Sequence, residues 1–438
     1  MKILFITCDV VAIDLTRRLV EEGHEVRLYI DRPDYRTCFD GLVGKAESLE
    51  AGKAWLGRAG LAIFDDVGFG EIQSAWRREG YNVLGSSAQA ERLETDRVFG
   101  QSTFRAAGLA TAPLFDFTSL DEAITFAECN RRAWVVKFNQ GHSYDTRVTV
   151  GERGDGADVI DALKAYRQNG SNLSPVITLQ ARVWGVEIGV ARYFNGKDWV
   201  APVEYSIEHK RLLNGDLGPL TDEMGTLAWY AQDDSEALYK TALAPMAGVL
   251  RACDFRGDFA LNLMVNESGI YPLEATSRLG CPIIHLQDEL HLSPWGDFLL
   301  AVAQGRSYDL AWSRGYGIVV FMALPPYPYG AKDVGLSCQG TNLFLDNLSP
   351  ADLSHLHFEE IASRDGSLRS LYVAGSDGFP LYVTGRGSSI VAARDQTYEL
   401  VKKVCLPKAI YRTDIGLPFL QEGLPQLQAW GYLRHLVG

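Results

Sequence analysis

Residues 257–278 constrain this chain more than any other stretch. Two runs of alternating side chains, Gly257-Asp258-Phe259-Ala260-Leu261-Asn262-Leu263-Met264 and Gly269-Ile270-Tyr271-Pro272-Leu273-Glu274-Ala275-Thr276-Ser277-Arg278, flank a turn at residues 266–269. Strand side chains alternate between faces, so Asn262 and Met264 share one face of the first run. Glu274, Thr276 and Arg278 share one face of the second. A hairpin closed at the turn gathers an amide, a carboxylate, a hydroxyl and a guanidinium in one place. That set suits Mg²⁺ with a polyphosphate, because magnesium takes one or two protein carboxylates and completes its shell from phosphate. A solvated edge hairpin would show the same pattern, so the reading depends on the rest of the chain.

At 438 residues the chain exceeds one ordinary core and predicts two to four domains. The absence of an eighteen-residue apolar run argues against a membrane span, and the start turns polar at Thr7-Cys8-Asp9, too early for a signal peptide. Seven scattered cysteines read as free thiols in a reducing compartment, so a cytoplasmic location is expected. A formal net charge of −13 leaves no basic surplus for nucleic acid. The expected partners are small molecules, with the oligomeric state unspecified.

The opening reads strand, helix, strand: residues 2–7, 11–22 and 26–30, with Gly23 ending the helix. Further strands at 60–64 and 81–84 predict an open α/β unit reaching about residue 105. Thr7-Cys8-Asp9-Val10-Val11-Ala12 carries no glycine where strand gives way to helix, which excludes a dinucleotide-binding loop. From 111 onward the spacing predicts a small sheet-and-helix module, with helices at 119–129 and 157–166 and strands at 134–138, 147–150 and 176–180. Lys137 lies in an apolar strand, where an ammonium is costly unless it meets water or an anion such as phosphate. Residues 181–312 predict a central sheet in which Glu187 sits among apolar neighbours, able to receive ribose hydroxyls or assist a metal. A strand at 317–324, two hairpin-like stretches within 368–384 and a helix at 396–404 follow.

Glu208-His209-Lys210-Arg211-Leu212-Leu213-Asn214-Gly215-Asp216-Leu217-Gly218-Pro219 sets three cationic residue types beside a loop. Lys210 and Arg211 can neutralise a carboxylate or a transferring phosphate, with Arg211 the better two-pronged clamp. A charged surface loop is the plainer reading. Together the pieces suit ATP-dependent activation of a carboxylic acid: the carboxylate takes the terminal phosphoryl group, and an amine then displaces phosphate. Positioning and electrostatics carry such chemistry, so no protein nucleophile is required.

With these landmarks in order, the chain resembles the ATP-grasp ligases of the phosphoribosylamine–glycine ligase family. The matches are Gly85-Ser86-Ser87 and Ala90-Glu91-Arg92-Leu93-Glu94, Val135-Val136-Lys137, Gly185-Val186-Glu187 and His209-Lys210-Arg211 with Asp216 and Gly218-Pro219. Met224-Gly225, Glu274 with Arg278 and Gly280, the 319–330 stretch and Tyr411-Arg412-Thr413-Asp414-Ile415-Gly416 complete them. The resemblance implies an α/β ATP-grasp fold: a preATP-grasp domain at 1–105, a lid at 106–180, a central catalytic subdomain at 181–312 and a strand-rich, mixed α+β C-terminal domain at 313–438. It implies ATP and Mg²⁺, or Mn²⁺ in its place, as cofactors. By position, Lys137 contacts ATP phosphates, Glu187 the ribose, and Gln180, Arg182 and Val183 the adenine. Glu274 binds the metal with Asn262 and Thr276, Lys210, Arg211 and Arg278 act at the transferring group, and His209 and Asp216 belong to the acceptor-side loop.

Four departures bear on substrate. The family's Gly-Gly-Arg-Glu-His loop after the first strand is replaced by residues 7–12. Its metal-site Glu-x-Asn becomes Glu274-Ala275-Thr276, and its Asn-Thr-Gly-Gly becomes Leu220-Thr221-Asp222-Glu223. A glycine-rich lid turn becomes the bulkier Asn139-Gln140-Gly141-His142-Ser143-Tyr144. Removing glycines and an arginine takes away close backbone approach and a donor fork. The expectation is a carboxylate–amine ligase with altered substrates. Phosphoribosylamine–glycine ligase itself and a catalytically inactive nucleotide-binding or interaction protein are the two alternatives.

Overall fold

The computed structural model describes residues 1–138, 148–168, 176–329 and 335–437; the turn at 139–144 lies outside them. The N-terminal unit is a parallel four-stranded sheet, in the order Glu25–Ile30, Lys2–Thr7, Leu61–Phe64 and Asn82–Leu84. The first helix is shorter than its periodicity predicts. It spans Leu15–Glu21, because residues 10–13 form a turn in which the Val10 N–H bonds to Thr7 at the end of the first strand and the Ala12 N–H to Asp65 just beyond the third.

The small module is a four-stranded antiparallel sheet ordered Leu114–Phe117, Ile177–Ala181, Trp134–Phe138, Val148–Val150. Helices Leu120–Cys129 and Ala157–Gln168 cover one face. Trp134, Val136 and Phe138 alternate into a core of their own with Ile124, Leu163 and Leu179. Val135 and Lys137 therefore project from the opposite face, away from the helices.

The central sheet has eight antiparallel strands ordered Gly269–Thr276, Arg256–Asn266, Val186–Asn195, Trp199–Glu208, Gly225–Tyr230, Tyr316–Met322, Leu381–Gly387, Leu356–Phe358. It runs unbroken from the residues around Glu274 into the C-terminal strands. The expected hairpin at 266–269 forms. Asn266 Oδ1 accepts from the backbone N–H of Ser268 (2.9 Å) and Gly269 (3.2 Å), and Gly269 takes a φ of 154° that a side chain would resist.

Two C-terminal expectations need correction. The stretch 368–384 forms no hairpin of its own, and its strands, Leu371–Val373 and the start of Leu381–Gly387, pair outside it. The former pairs with Ile361–Ser363 and the latter with Tyr316–Met322 and Leu356–Phe358. Local alternation fixes neither partner nor register when several edges compete. The last long helix spans Ile390–Val401, starting where Ser389 accepts from the Ala392 N–H, six residues before the expected start. All seven cysteines are free. Among the described residues no helix is long and apolar enough to cross a membrane.

Candidate active site

The hairpin register places Asn262 directly opposite Glu274. On the neighbouring strands Gly189 pairs with Asn262, and Glu187 with Met264. Glu208, at the end of the next strand, accepts two hydrogen bonds from Asn262 Nδ2, at 3.1 and 3.0 Å. Lys210 stands over this group, its Nζ 2.7 Å from Glu187 Oε1, 3.1 Å from Glu208 Oε2 and 3.5 Å from Glu274 Oε1. One ammonium thus serves three carboxylates from three strands. Lys210, then Lys137 and Arg97, hold the Glu274 carboxyl down at about 2. Burial, then crowding by Glu187 and Glu274, pushes Glu208 up against the pull of Lys210.

Lys137 completes the convergence from the small four-stranded sheet. It is buried, and burial pushes its ammonium down to about 7; Arg97 and Lys210 add to that push, while Glu274 and Glu187 oppose it. Lys137, Glu187 and Glu274, 137 residues apart in sequence at the extremes, therefore face one cleft. Arg97 was missed by sequence reasoning. It begins the helix Arg97–Ala106, behind the Asp96 cap, and its buried Nε has no hydrogen-bond partner. A cation in a helix's first turn opposes the helix dipole, and that was the available signal. Glu208 was also missed, although the even positions Glu204, Ser206 and Glu208 are polar along one strand face.

The donor set suits a hard divalent ion. Among the described residues no group of three or more His, Cys, Asp or Glu is arranged to hold a metal unaided. Glu274 and Asn262, with Thr276 on the same face, instead offer sparse oxygen ligation that a polyphosphate can complete. Arg278 lies beside this face, its Nε 3.0 Å from Glu94 Oε1, while the Ser277 N–H donates to the other oxygen of Glu94.

The acceptor-side loop divides differently from its expected roles. His209 is buried, with Nδ1 against the Gly225 carbonyl (3.2 Å) and Nε2 accepting from the Gly416 N–H (3.0 Å). Burial, then Arg412, pushes its ring down to about 4. Both ring nitrogens are occupied by backbone, so His209 anchors the loop. Strand alternation turns Arg211 away from Lys210, and its Nη1 bonds the Gly218 carbonyl at 2.9 Å. Asp216 pairs with Arg412 Nη1 at 2.7 Å, and the fully buried Arg412 also grips Asp414 at 2.8 Å. Asp216 is therefore spent on holding the loop. Replacing Arg412 by Met strands Asp414 and frees the loop, with an expected loss of about 2–3 kcal/mol. Denaturant unfolding and the KM for the acceptor, which should rise, check this together.

Of the residues expected at the adenine, Gln180 is buried with Nε2 lacking a partner. Arg182 pairs with Glu152 at 2.6 Å and stacks 3.4 Å from the centroid of the exposed Trp184 ring. Val183, between them, is half-buried.

A family profile for the phosphoribosylglycinamide synthetase ATP-grasp (A) domain matches residues 95–283. The chain is 27% identical over 354 residues to phosphoribosylamine–glycine ligase of Streptomyces coelicolor, covering 79% of this chain and 80% of that protein. It is 26% identical over 358 residues to the Helicobacter pylori protein of the same name, with 78% of each covered. The crystal structure of phosphoribosylamine–glycine ligase from Thermotoga maritima superposes with a TM-score of 0.72 at 20% identity, covering 95% of this chain and 100% of that one. N5-carboxyaminoimidazole synthetase from Staphylococcus aureus follows at 0.56 and 12% identity, covering 92% and 97%.

Proposed function

The chain is an ATP-grasp ligase that resembles phosphoribosylamine–glycine ligase, and from that premise we propose that it joins a small carboxylic acid to an amine other than phosphoribosylamine. It is an ATP-dependent carbon–nitrogen ligase of the carboxylate–amine class. The convergence of Lys137 and Lys210 on Glu187, Glu208 and Glu274 carries the assignment of the ATP site.

In the proposed reaction a substrate carboxylate oxygen attacks the γ-phosphorus of ATP. The bond to the bridging oxygen breaks, and ADP leaves. Lys137 and Arg97 spread the charge on the phosphates, and Lys210 holds the carboxylates in place while that charge moves. Glu274, Asn262 and Thr276 would hold a divalent ion, which neutralises phosphate oxygens when bound. The amine nitrogen then attacks the acyl carbon, loses a proton and expels phosphate. Closure of the lid face bearing Lys137 excludes water, which would otherwise hydrolyse the acyl phosphate.

The altered amine is supported by the loop after the first strand. The backbone N–H groups of Cys8 and Asp9 donate to Asp66 Oδ2, at 2.9 and 2.7 Å, and that of Ala12 to Asp65 Oδ2 at 3.0 Å. A phosphorylated amine would need such donors free, and it would meet two carboxylates in their place. Phosphate release from Mg·ATP, followed by mass spectrometry across acids and amines, tests this. Turnover with glycine and phosphoribosylamine alone would reverse the assignment; turnover with an unphosphorylated amine supports it.

A further inference from the structure

A cavity of about 70 Å³ opens beneath the site and shares Glu208, Asn262, Thr276 and Arg278 with it. Its floor exists because the central strand carries small residues there. Ala191 lies between Glu204 on one side and Ala260 on the other. At the deep end stand Glu204, Asp258 and Glu223, only 2%, 3% and 9% exposed, with Thr226 at 1%. Four of their oxygens have no hydrogen-bond partner: Glu204 Oε1, Asp258 Oδ1, Glu223 Oε1 and Thr226 Oγ1. Buried acceptors left unmatched are costly, and natural proteins leave few of them without cause.

Several neighbouring polar groups are engaged elsewhere. Gln287 donates to Asp258 Oδ2 at 2.8 Å and accepts from the Tyr193 hydroxyl at 2.8 Å. Lys210 is held by Glu208, and Arg278 by Glu94. The cavity therefore crowds buried carboxyl groups together, and the donors that line it beside them, the Ser206 and Thr226 hydroxyls, are neutral. A metal is a poor occupant, since no described group of acidic, histidine or cysteine side chains is arranged to ligate one. An alkylammonium fits better, because it brings three N–H donors, no acceptor and one positive charge.

We infer that this cavity binds an ammonium group of the substrate, so that one of the two molecules joined carries a cationic end besides its reacting group. The inference rests on the ligase reading for the identity of that molecule, but binding of the cation can be measured apart from turnover. Two sources share the chemistry, a basic amino acid acting as the carboxylate and a diamine acting as the acceptor.

Isothermal titration of the full chain with Mg·ATP compares lysine with hexanoate, and 1,5-diaminopentane with pentane-1,5-diol, so that the second member of each pair carries no ammonium. In at least one arm the cationic member should bind about tenfold or more tighter, some 1.4 kcal/mol. The arm that discriminates names the source. The double variant Glu204→Gln with Asp258→Asn should erase that preference. Equal affinity within both pairs for the unaltered protein overturns the inference, whether or not the variant folds. A preference that survives in a folded double variant also overturns it. Ammonium binding without any carboxylate-dependent phosphate release would sink the ligase reading alone and leave this site standing.

Discussion

Replacing Glu274 by Gln should lower kcat by about 10²–10³-fold while moving the KM for the carboxylic acid little. The substitution keeps shape and removes one negative charge from the point where Lys210, Lys137 and Arg97 converge. Two effects add. The sparse oxygen ligation on this strand loses its carboxylate, so a divalent ion there is held more loosely and neutralises less charge as phosphoryl transfer proceeds. Lys210, previously shared among three carboxylates, shifts toward Glu187 and Glu208 and away from the reacting phosphate. Losing one preorganised charge interaction at a transferring group costs about 3–4 kcal/mol, which is the basis of the stated range. Steady-state phosphate release at a Mg²⁺ concentration that saturates the unaltered protein measures it. Recovery by raised Mn²⁺ or Mg²⁺ would assign the loss to metal binding, whereas unchanged kcat would remove Glu274 from the metal role.

Much of this site was legible in the sequence because its parts lie on strands. Alternation put Glu274 and Thr276 on one face and Asn262 on a face of the partner strand, but the turn at Asn266 and Gly269 sets the pairing only as far as Leu263 and Pro272; a shift of register beyond them, which no local pattern announces, brings Asn262 opposite Glu274. Lys137 was legible through cost, an ammonium in an apolar strand. His209 and Asp216 misled for the same physical reason. Polar residues in a loop can bind a ligand or bind the loop, and only coordinates showed Arg412 and the backbone at Gly225 and Gly416 claiming them. Glu208 escaped notice because its neighbours in sequence looked like the site. The acidic group of Glu204, Asp258 and Glu223 is gathered from two strands and the loop leading into a third, whose order no local pattern discloses. The pairing of the C-terminal strands was hidden likewise, since alternation names a face and never a partner.

Replacing Lys137 by Met should raise the KM for ATP by about 10–100-fold and, in the same protein, raise the melting temperature. The two readouts have one cause. Burial drives the ammonium down to about 7, so the folded chain carries this lysine at a cost. For a lysine whose folded value lies below its unfolded value, the penalty is absent above pH 10.5. It grows as pH falls, and is complete below pH 7. At pH 8 the difference amounts to roughly 3 kcal/mol, and methionine fills similar volume without it. That strain makes sense if a triphosphate normally arrives to meet the charge, since a charge-assisted contact in a closed cleft contributes about 1.5–3 kcal/mol. Functional groups are commonly maintained at such expense to stability. A lysine serving only the fold would show the reverse pattern, a lower melting temperature with ATP binding intact. Differential scanning calorimetry without nucleotide, paired with the KM for ATP on the same preparation, therefore separates the two roles. The gain in melting temperature should shrink as Mg·ATP is added, because ligand stabilises the unaltered protein more than the variant.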